Sequence, residues 1–148
     1  MINNGMFTRD RKDWETPAAL FERLNLKYHF ELDVAASPEN AKCGRFYTEQ
    51  DNGLLLPWSA VNWCNPPYGK EILNWCRKAD EEVGKGNITV MLIPARTDAR
   101  WFHEYCNKYH IEFIRGRIKF VGAKYNAPFP SMLVYFGIKE RKNEVRFL

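Results

Sequence analysis

Residues 61–69 read Val-Asn-Trp-Cys-Asn-Pro-Pro-Tyr-Gly, a short apolar run that ends in an amide, two prolines, an aromatic ring and a glycine. Neither proline has an N–H to give to a ladder, so a strand arriving here has to stop. Asn65 is left at a carboxyl strand end, the edge at which open α/β sheets place their ligands. These residue types suit one chemistry. An exocyclic amine on an aromatic base is a poor nucleophile because its lone pair is delocalised into the ring. Two fixed acceptors that take its two hydrogens bias the nitrogen towards tetrahedral geometry and expose that lone pair. The side-chain carbonyl of Asn65 is one such acceptor, and the backbone carbonyl of Pro66, held stiffly by Pro67, is a second. Tyr68 can stack on the ring, and Gly69 lets the chain turn away without crowding it. No strong base is required, because the nitrogen sheds its proton after attack. The plain alternative is a proline-rich turn leaving a strand.

The elements that must position this site are legible on either side of it. The segment Trp14-Glu15-Thr16-Pro17 has the form of a helix start, with Thr16 as N-cap and Pro17 in the first turn. Leu20, Phe21 and Leu24 continue it as an apolar stripe, which Trp14 can staple. Residues 29–32 alternate as a strand and deliver Asp33 to its carboxyl end, where Ala35, Ala36 and Ser37 allow backbone to approach a ligand. Asp33 can accept hydrogen bonds from an ammonium or a ribose hydroxyl, or simply form a turn. Asp51, ahead of Gly53 in a turn-rich stretch, is a second carboxylate with the same two readings. Phe46, Tyr47, Leu54, Leu55, Leu56 and Trp58 are expected in the core.

After Gly69, Ile72, Leu73, Trp75, Cys76, Ala79 and Val83 recur at helical spacing, predicting a helix over 70–83 that ends at Gly84-Lys85-Gly86. Ile88–Pro94 is almost wholly apolar, as central parallel strands are, and delivers residues 95–98 to the same edge as Asn65. A second helix carries Trp101, Phe102, Tyr105 and Cys106 on one face. Strands follow at 111–114, at 118–121 beyond the basic turn Arg115-Gly116-Arg117, and at Ser131–Phe136. The loop 122–130, rich in proline and aromatics, is expected to be shaped, and residues 139–148 form a charged tail. The alternation of strand and helix predicts an α/β fold, a three-layer sandwich, in one domain over 14–138 behind a mobile segment 1–13.

Bulk composition narrows the class. A chain of 148 residues that is 45% hydrophobic can bury a real core and is not a disordered segment. No apolar run is long enough to span a membrane, and the first residues lack a signal-peptide core, so a cytoplasmic protein is expected. A net charge of +4 is compatible with a polyanionic partner. Cys43, Cys64, Cys76 and Cys106 have neither zinc nor disulfide spacing and read as buried free thiols, and the three histidines have no ligand spacing, so no metal is expected.

Four segments taken in order carry a family resemblance: Trp14-Glu15-Thr16-Pro17, Leu32-Asp33-Val34-Ala35-Ala36-Ser37, Asn65-Pro66-Pro67-Tyr68-Gly69 and Pro94-Ala95-Arg96-Thr97-Asp98. The set resembles the compact phage-type DNA N6-adenine methyltransferases of the Dam group, across roughly residues 14–136. The resemblance implies a Rossmann-like, mostly parallel sheet with an antiparallel strand near the end, and S-adenosylmethionine as methyl donor. Asp33, with Ala35, Ala36 and Ser37, would lie in the cofactor loop, Trp14, Thr16 and Pro17 along the donor's amino-acid side, and Asp51 at its ribose or adenine end. Asn65, Pro66, Pro67 and Tyr68 would hold the adenine, with Asn65 also contacting the donor. Arg96, Arg100, Arg115, Arg117, Lys119 and Lys124 are the candidate phosphate contacts. The loop after Asp33 departs from the glycine-rich pattern common in such folds. Little length remains for a separate recognition domain, so target readout would fall to loops 95–100 and 122–130 of a monomer or a homodimer. The same tetrad also serves methylation of cytosine N4, RNA bases and protein glutamine, and a non-catalytic nucleic-acid-binding module of this fold is the other alternative.

Overall fold

The structure, a computed structural model, describes residues 14–139 and the backbone of residues 145–146. The segment 1–13, expected to be mobile, and most of the charged tail 139–148 lie outside the described residues.

Six strands, β1 (Leu32–Asp33), β2 (Val61–Cys64), β3 (Ile88–Pro94), β4 (His110–Ile114), β5 (Ser131–Phe136) and β6 (Val145–Arg146), form one mixed sheet in the order β1-β2-β3-β5-β4-β6. β1, β2 and β3 are parallel, β5 is antiparallel to both β3 and β4, and β6 is parallel to β4. Only β5 therefore runs against the others. The carboxyl ends of β1 to β4 and the start of β5 meet along one edge, and Asn65 stands on it at the exit of β2, between β1 and β3. β3 and β5 form the heart of the sheet, with Leu92 opposite Leu133 and Met91 opposite Val134, all fully buried. Burying side chains of this size contributes about 2 kcal/mol each, which explains why near-continuous apolar runs became central strands.

Two helices pack on the sheet, α1 (Ala18–Tyr28) and α2 (Ile72–Val83). α1 buries Phe21 and Leu24 and brings Phe21 edge-on to Trp63 of β2 at 5.4 Å. α2 buries Ile72, Trp75, Cys76 and Ala79, and the Cys76 thiol lies 3.9 Å from the Met91 sulfur of β3. Gly69 has φ +107, a left-handed conformation that a side chain would strain, and the turn it makes launches α2 three residues later.

Several local expectations change. α1 starts one residue late, with Pro17 at the N-cap position and no side chain capping it, because the Thr16 hydroxyl is engaged by Asn65 instead. His29 takes a left-handed conformation (φ 53) that closes α1, leaving only Leu32–Asp33 in the ladder. The second helix shortens to a single wide π-helical turn, Phe102–Cys106. No strand forms at 118–121, because its backbone groups find scattered partners: Val121 N–H donates to Glu15 O, and Ala127 N–H donates to Ile118 O. Leu55 is 78% exposed rather than in the core, while Phe46 and Tyr47 are half-buried beside β1, where one bridge joins Phe46 to Asp33.

Gly53 marks the tightest approach in this region. A Cβ built there would lie 2.3 Å from the Val34 carbonyl oxygen and 3.3 Å from the Trp75 ring. Gly53→Ala should therefore destabilise the protein by at least about 2 kcal/mol, because a backbone oxygen cannot swing aside as a side chain can. Equilibrium denaturation checks this, and an unchanged midpoint would show that the 48–54 segment is free to shift.

Candidate active site

Two asparagines three residues apart on β2 and its exit are treated differently by the fold. Asn62 is fully buried and satisfied: its Oδ1 accepts from Ser59 N–H at 2.9 Å, and its Nδ2 donates to Ser59 O and Ile88 O. Asn65 donates from Nδ2 to the Trp14 carbonyl and, at 3.0 Å, to the Thr16 hydroxyl. A backbone carbonyl can only accept, so the amide nitrogen must face Trp14 and the amide oxygen must face away. That oxygen, Oδ1, is buried and finds no hydrogen-bond partner among the described residues. Leaving a buried acceptor unsatisfied costs about 1–3 kcal/mol, which sets Asn65 apart from the satisfied Asn62.

Asn65, Pro66 and Pro67 line one side of a cavity of about 920 Å³ whose other walls come from the β1 exit loop and the 48–54 segment. Asp33, Ala35, Ala36 and Ser37 all reach this cavity, as do Trp14 and Thr16, so the structure brings most of the expected site together. The Ala-Ala-Ser stretch keeps the wall small. Four carboxylate side chains, Glu15, Asp33, Glu49 and Glu71, line the cavity against one ammonium, Lys42, which suits a cationic occupant. The indole Nε1 of Trp75, another lining residue, is buried without a partner among the described residues.

Three expected residues are placed otherwise. Pro17 does not line the cavity. Asp51 is exposed and turns its Oδ2 back onto Thr48, accepting from the backbone N–H at 2.8 Å and the hydroxyl at 3.0 Å. Tyr68 is buried behind the wall: its hydroxyl donates to Leu92 O at 3.1 Å, and its ring stacks on Trp14 at 6.3 Å with Phe129 against its edge. Trp14 also meets Phe120 and Phe129 edge-on at 5.4 and 5.1 Å. These four rings form a dry wall that clamps the Trp14 carbonyl in place for Asn65.

Beyond that wall the same edge is basic. Arg96, Arg115, Arg117, Lys119 and Lys124 are exposed in the segments that leave β3 and β4 and lead into β5. Arg100 is exposed as well and pairs with Glu104 at 2.6 Å.

Residues 5–136 match the family described as DNA N-6-adenine-methyltransferase (Dam). The chain belongs to this family. Among curated relatives, it is 36% identical over 94 residues to a DNA N-6-adenine-methyltransferase of Escherichia phage T1, a match covering 62% of this chain and 39% of the phage protein. It is also 36% identical over 63 residues to YfdM of Escherichia coli (strain K12), provisionally named a methyltransferase, covering 37% of this chain and 69% of that one. This Dam-family chain therefore spans well under half the length of its phage T1 relative.

Sequence reasoning missed Glu15, Lys42, Glu49, Glu71 and Trp75 at the cavity. Glu15 sits between two residues that it did single out, and Trp75 reads as one more member of the α2 core stripe. Nothing in the sequence distinguishes Lys42 from an ordinary surface lysine.

Asp33 is 3% exposed and accepts from Lys42 N–H at 3.0 Å and Ala35 N–H at 3.3 Å, so its carboxylate shapes the loop as well as facing the cavity. Burial pushes its carboxyl up from 3.8 to about 6, against the lowering effect of those two N–H groups and of Lys42. A carboxyl with a higher pKa in the folded state binds more protons when folded. Its stabilising contribution is full below the unfolded pKa and is lost as pH rises through about 6. Relative to Asp33→Asn, the wild type should lose on the order of 3 kcal/mol between about pH 4 and pH 7. Paired denaturation curves across that range test it, and a pH-independent difference would refute it.

Proposed function

We propose that this Dam-family chain transfers a methyl group from S-adenosylmethionine to the N6 amino group of adenine in DNA. The observation that carries the reading is the buried, unpartnered Asn65 Oδ1 at the carboxyl end of β2. The family description and the name of the phage T1 relative support adenine in DNA over the other amino groups this tetrad can serve. The fold at residue level supports a three-layer arrangement. Trp63 faces α1, while Met91, one residue along from Trp63's partner Val90, faces α2, and successive strand residues point to opposite faces.

The cavity fits S-adenosylmethionine: it is large enough for a nucleoside joined to an amino acid, its charged lining is mostly acidic, and an orphaned indole N–H waits in its wall. Asp33, Ala35, Ala36 and Ser37 would hold the donor from the β1 side, and Trp14 and Thr16 from the side of Asn65. When bound, the donor supplies an electrophilic methyl group on a sulfonium. The work of the protein is to ready the nucleophile. Asn65 Oδ1 accepts one hydrogen of the adenine amino group and the Pro66 carbonyl the other, so the nitrogen lone pair turns out of the ring plane. The acceptors are fixed beforehand, Asn65 by Trp14 and Thr16 and Pro66 by its burial, so little reorganisation is needed during reaction. The proton leaves to water after the new bond has formed. Tyr68 acts from behind, holding Trp14 and tying the tetrad to β3.

A duplex adenine must leave the stack to reach Asn65, at a cost of about a few kcal/mol. Arg96, Arg115, Arg117, Lys119 and Lys124 offset that cost by contacting phosphates, and loops 95–100 and 122–130 supply sequence readout, in one copy or in two. No helix among the described residues is long and apolar enough to cross a membrane. The compartment proposed is the cytoplasm of a host cell, where a phage methyltransferase would meet its DNA.

Incubation with methyl-labelled S-adenosylmethionine and DNA, RNA or protein in parallel, followed by nucleoside analysis, should give label on DNA as N6-methyladenine. Label confined to RNA or protein would overturn the substrate. Asn65→Ala should lower the rate of methyl transfer by at least about a hundredfold, far more than it lowers donor affinity, since Oδ1 acts on the amine while Nδ2 only steadies Trp14 and Thr16 beside the donor; an equal fall in both would refute that role. Charge reversal at Arg115 or Arg117 should weaken DNA binding most at low salt and lower the slope of log affinity against log salt by about one for each phosphate no longer neutralised. Unchanged DNA affinity would remove that turn from the interface.

A further inference from the structure

One ion pair stands across the cavity lining. Lys42 Nζ lies 3.5 Å from Glu15 Oε2, with the two side chains only 15% and 34% exposed, and both residues line the cavity. Their backbones are anchored independently. The Lys42 N–H donates to Asp33 Oδ2 at 3.0 Å, fixing it to the β1 exit loop. Glu15 is held on both flanks by the Asn65 amide, which takes the Trp14 carbonyl and the Thr16 hydroxyl, and its own carbonyl accepts from Val121 N–H at 3.0 Å. The pair thus joins two fixed walls by their side chains alone, and those side chains can part without disturbing either wall.

We propose that Glu15 and Lys42 form the subsite for the α-amino-acid end of the methyl donor, Glu15 taking its ammonium and Lys42 its carboxylate. This assignment rests on the methyltransferase reading above and deepens it. A partly buried charge is costly without a counter-charge, and here each of these two serves the other. An α-amino acid is a zwitterion, so when it inserts between them every charge keeps an opposite partner. An exchange of this kind discriminates for the amino-acid end. A ligand lacking either charged group leaves the pair closed and gains nothing from it. The placement also puts the donor's amino-acid end beside Trp14 and Thr16, the residues that orient Asn65, and leaves the 48–54 segment and the unpartnered Trp75 indole for the nucleoside end.

Calorimetric binding of two ligands tests it without turnover: S-adenosylhomocysteine, which carries the amino-acid end, and methylthioadenosine, which lacks it. Glu15→Gln and Lys42→Met should each weaken S-adenosylhomocysteine about tenfold, the scale of one charge-assisted hydrogen bond, while methylthioadenosine affinity stays within about twofold. Thermal unfolding of both variants, with melting temperatures close to wild type, excludes a general loss of fold. Equal weakening of both ligands would mean that the residues only shape the cavity and would overturn the assignment, as would unchanged S-adenosylhomocysteine affinity. If the wild type binds neither ligand, the donor itself is wrong and the methyltransferase reading falls first.

Discussion

A backbone carbonyl cannot donate a hydrogen bond, and much of the candidate site follows from that fact at Trp14. Because its oxygen faces the Asn65 amide, the amide nitrogen must turn towards it and the amide oxygen must turn away. The Thr16 hydroxyl, 3.0 Å from the same nitrogen, holds that orientation from a second direction. Asn65 is then a directed acceptor rather than a freely flipping side chain. The constraint is expensive to keep: it needs Trp14 immobile, and the ring contacts to Tyr68, Phe120 and Phe129 supply that immobility from three separate parts of the chain.

The same residues divide the carboxyl edge of the sheet electrically. On one side lies a cavity lined by four acidic side chains and one lysine, and on the other lie exposed arginines and lysines of the loops after β3 and β4. A cationic donor and a polyanionic acceptor would each be drawn to its own side, and each would be repelled from the other's. The aromatic wall and the Asn-Pro-Pro turn occupy the boundary, where the two reacting groups would meet in the proposed function.

Long-range order of this kind was legible from sequence only where local chemistry sufficed. β3 and β5 end where their apolar runs end, because Pro94 cannot continue a central ladder and Gly137 takes a left-handed turn at φ +96. The α2 stripe was equally plain, since burial of Ile72, Trp75, Cys76 and Ala79 follows helical spacing. Residues 118–121 failed the same test. Their alternation looks like a strand, yet their backbone groups bond to Glu15 and Ala127, and Phe120 packs on Trp14. Thr16 looked like a cap because a threonine before Pro-Ala usually is one. Its hydroxyl went to Asn65, 49 residues away, a partner that no local pattern names.

The sequence by itself determined the chemistry on offer: an amide ahead of two prolines at a strand end, a carboxylate followed by small residues, and apolar runs that can only be buried. Residue type and short-range sterics dictate those features, and they need no tertiary context. Tertiary structure alone decided which way the Asn65 amide points, that Tyr68 backs the site instead of facing it, and that Glu15 and Lys42 close on each other across the cavity. The reason is physical. Hydrogen-bond direction and charge pairing depend on atoms brought together from distant positions, and the spacing of residues along a chain carries no record of the angle at which they meet.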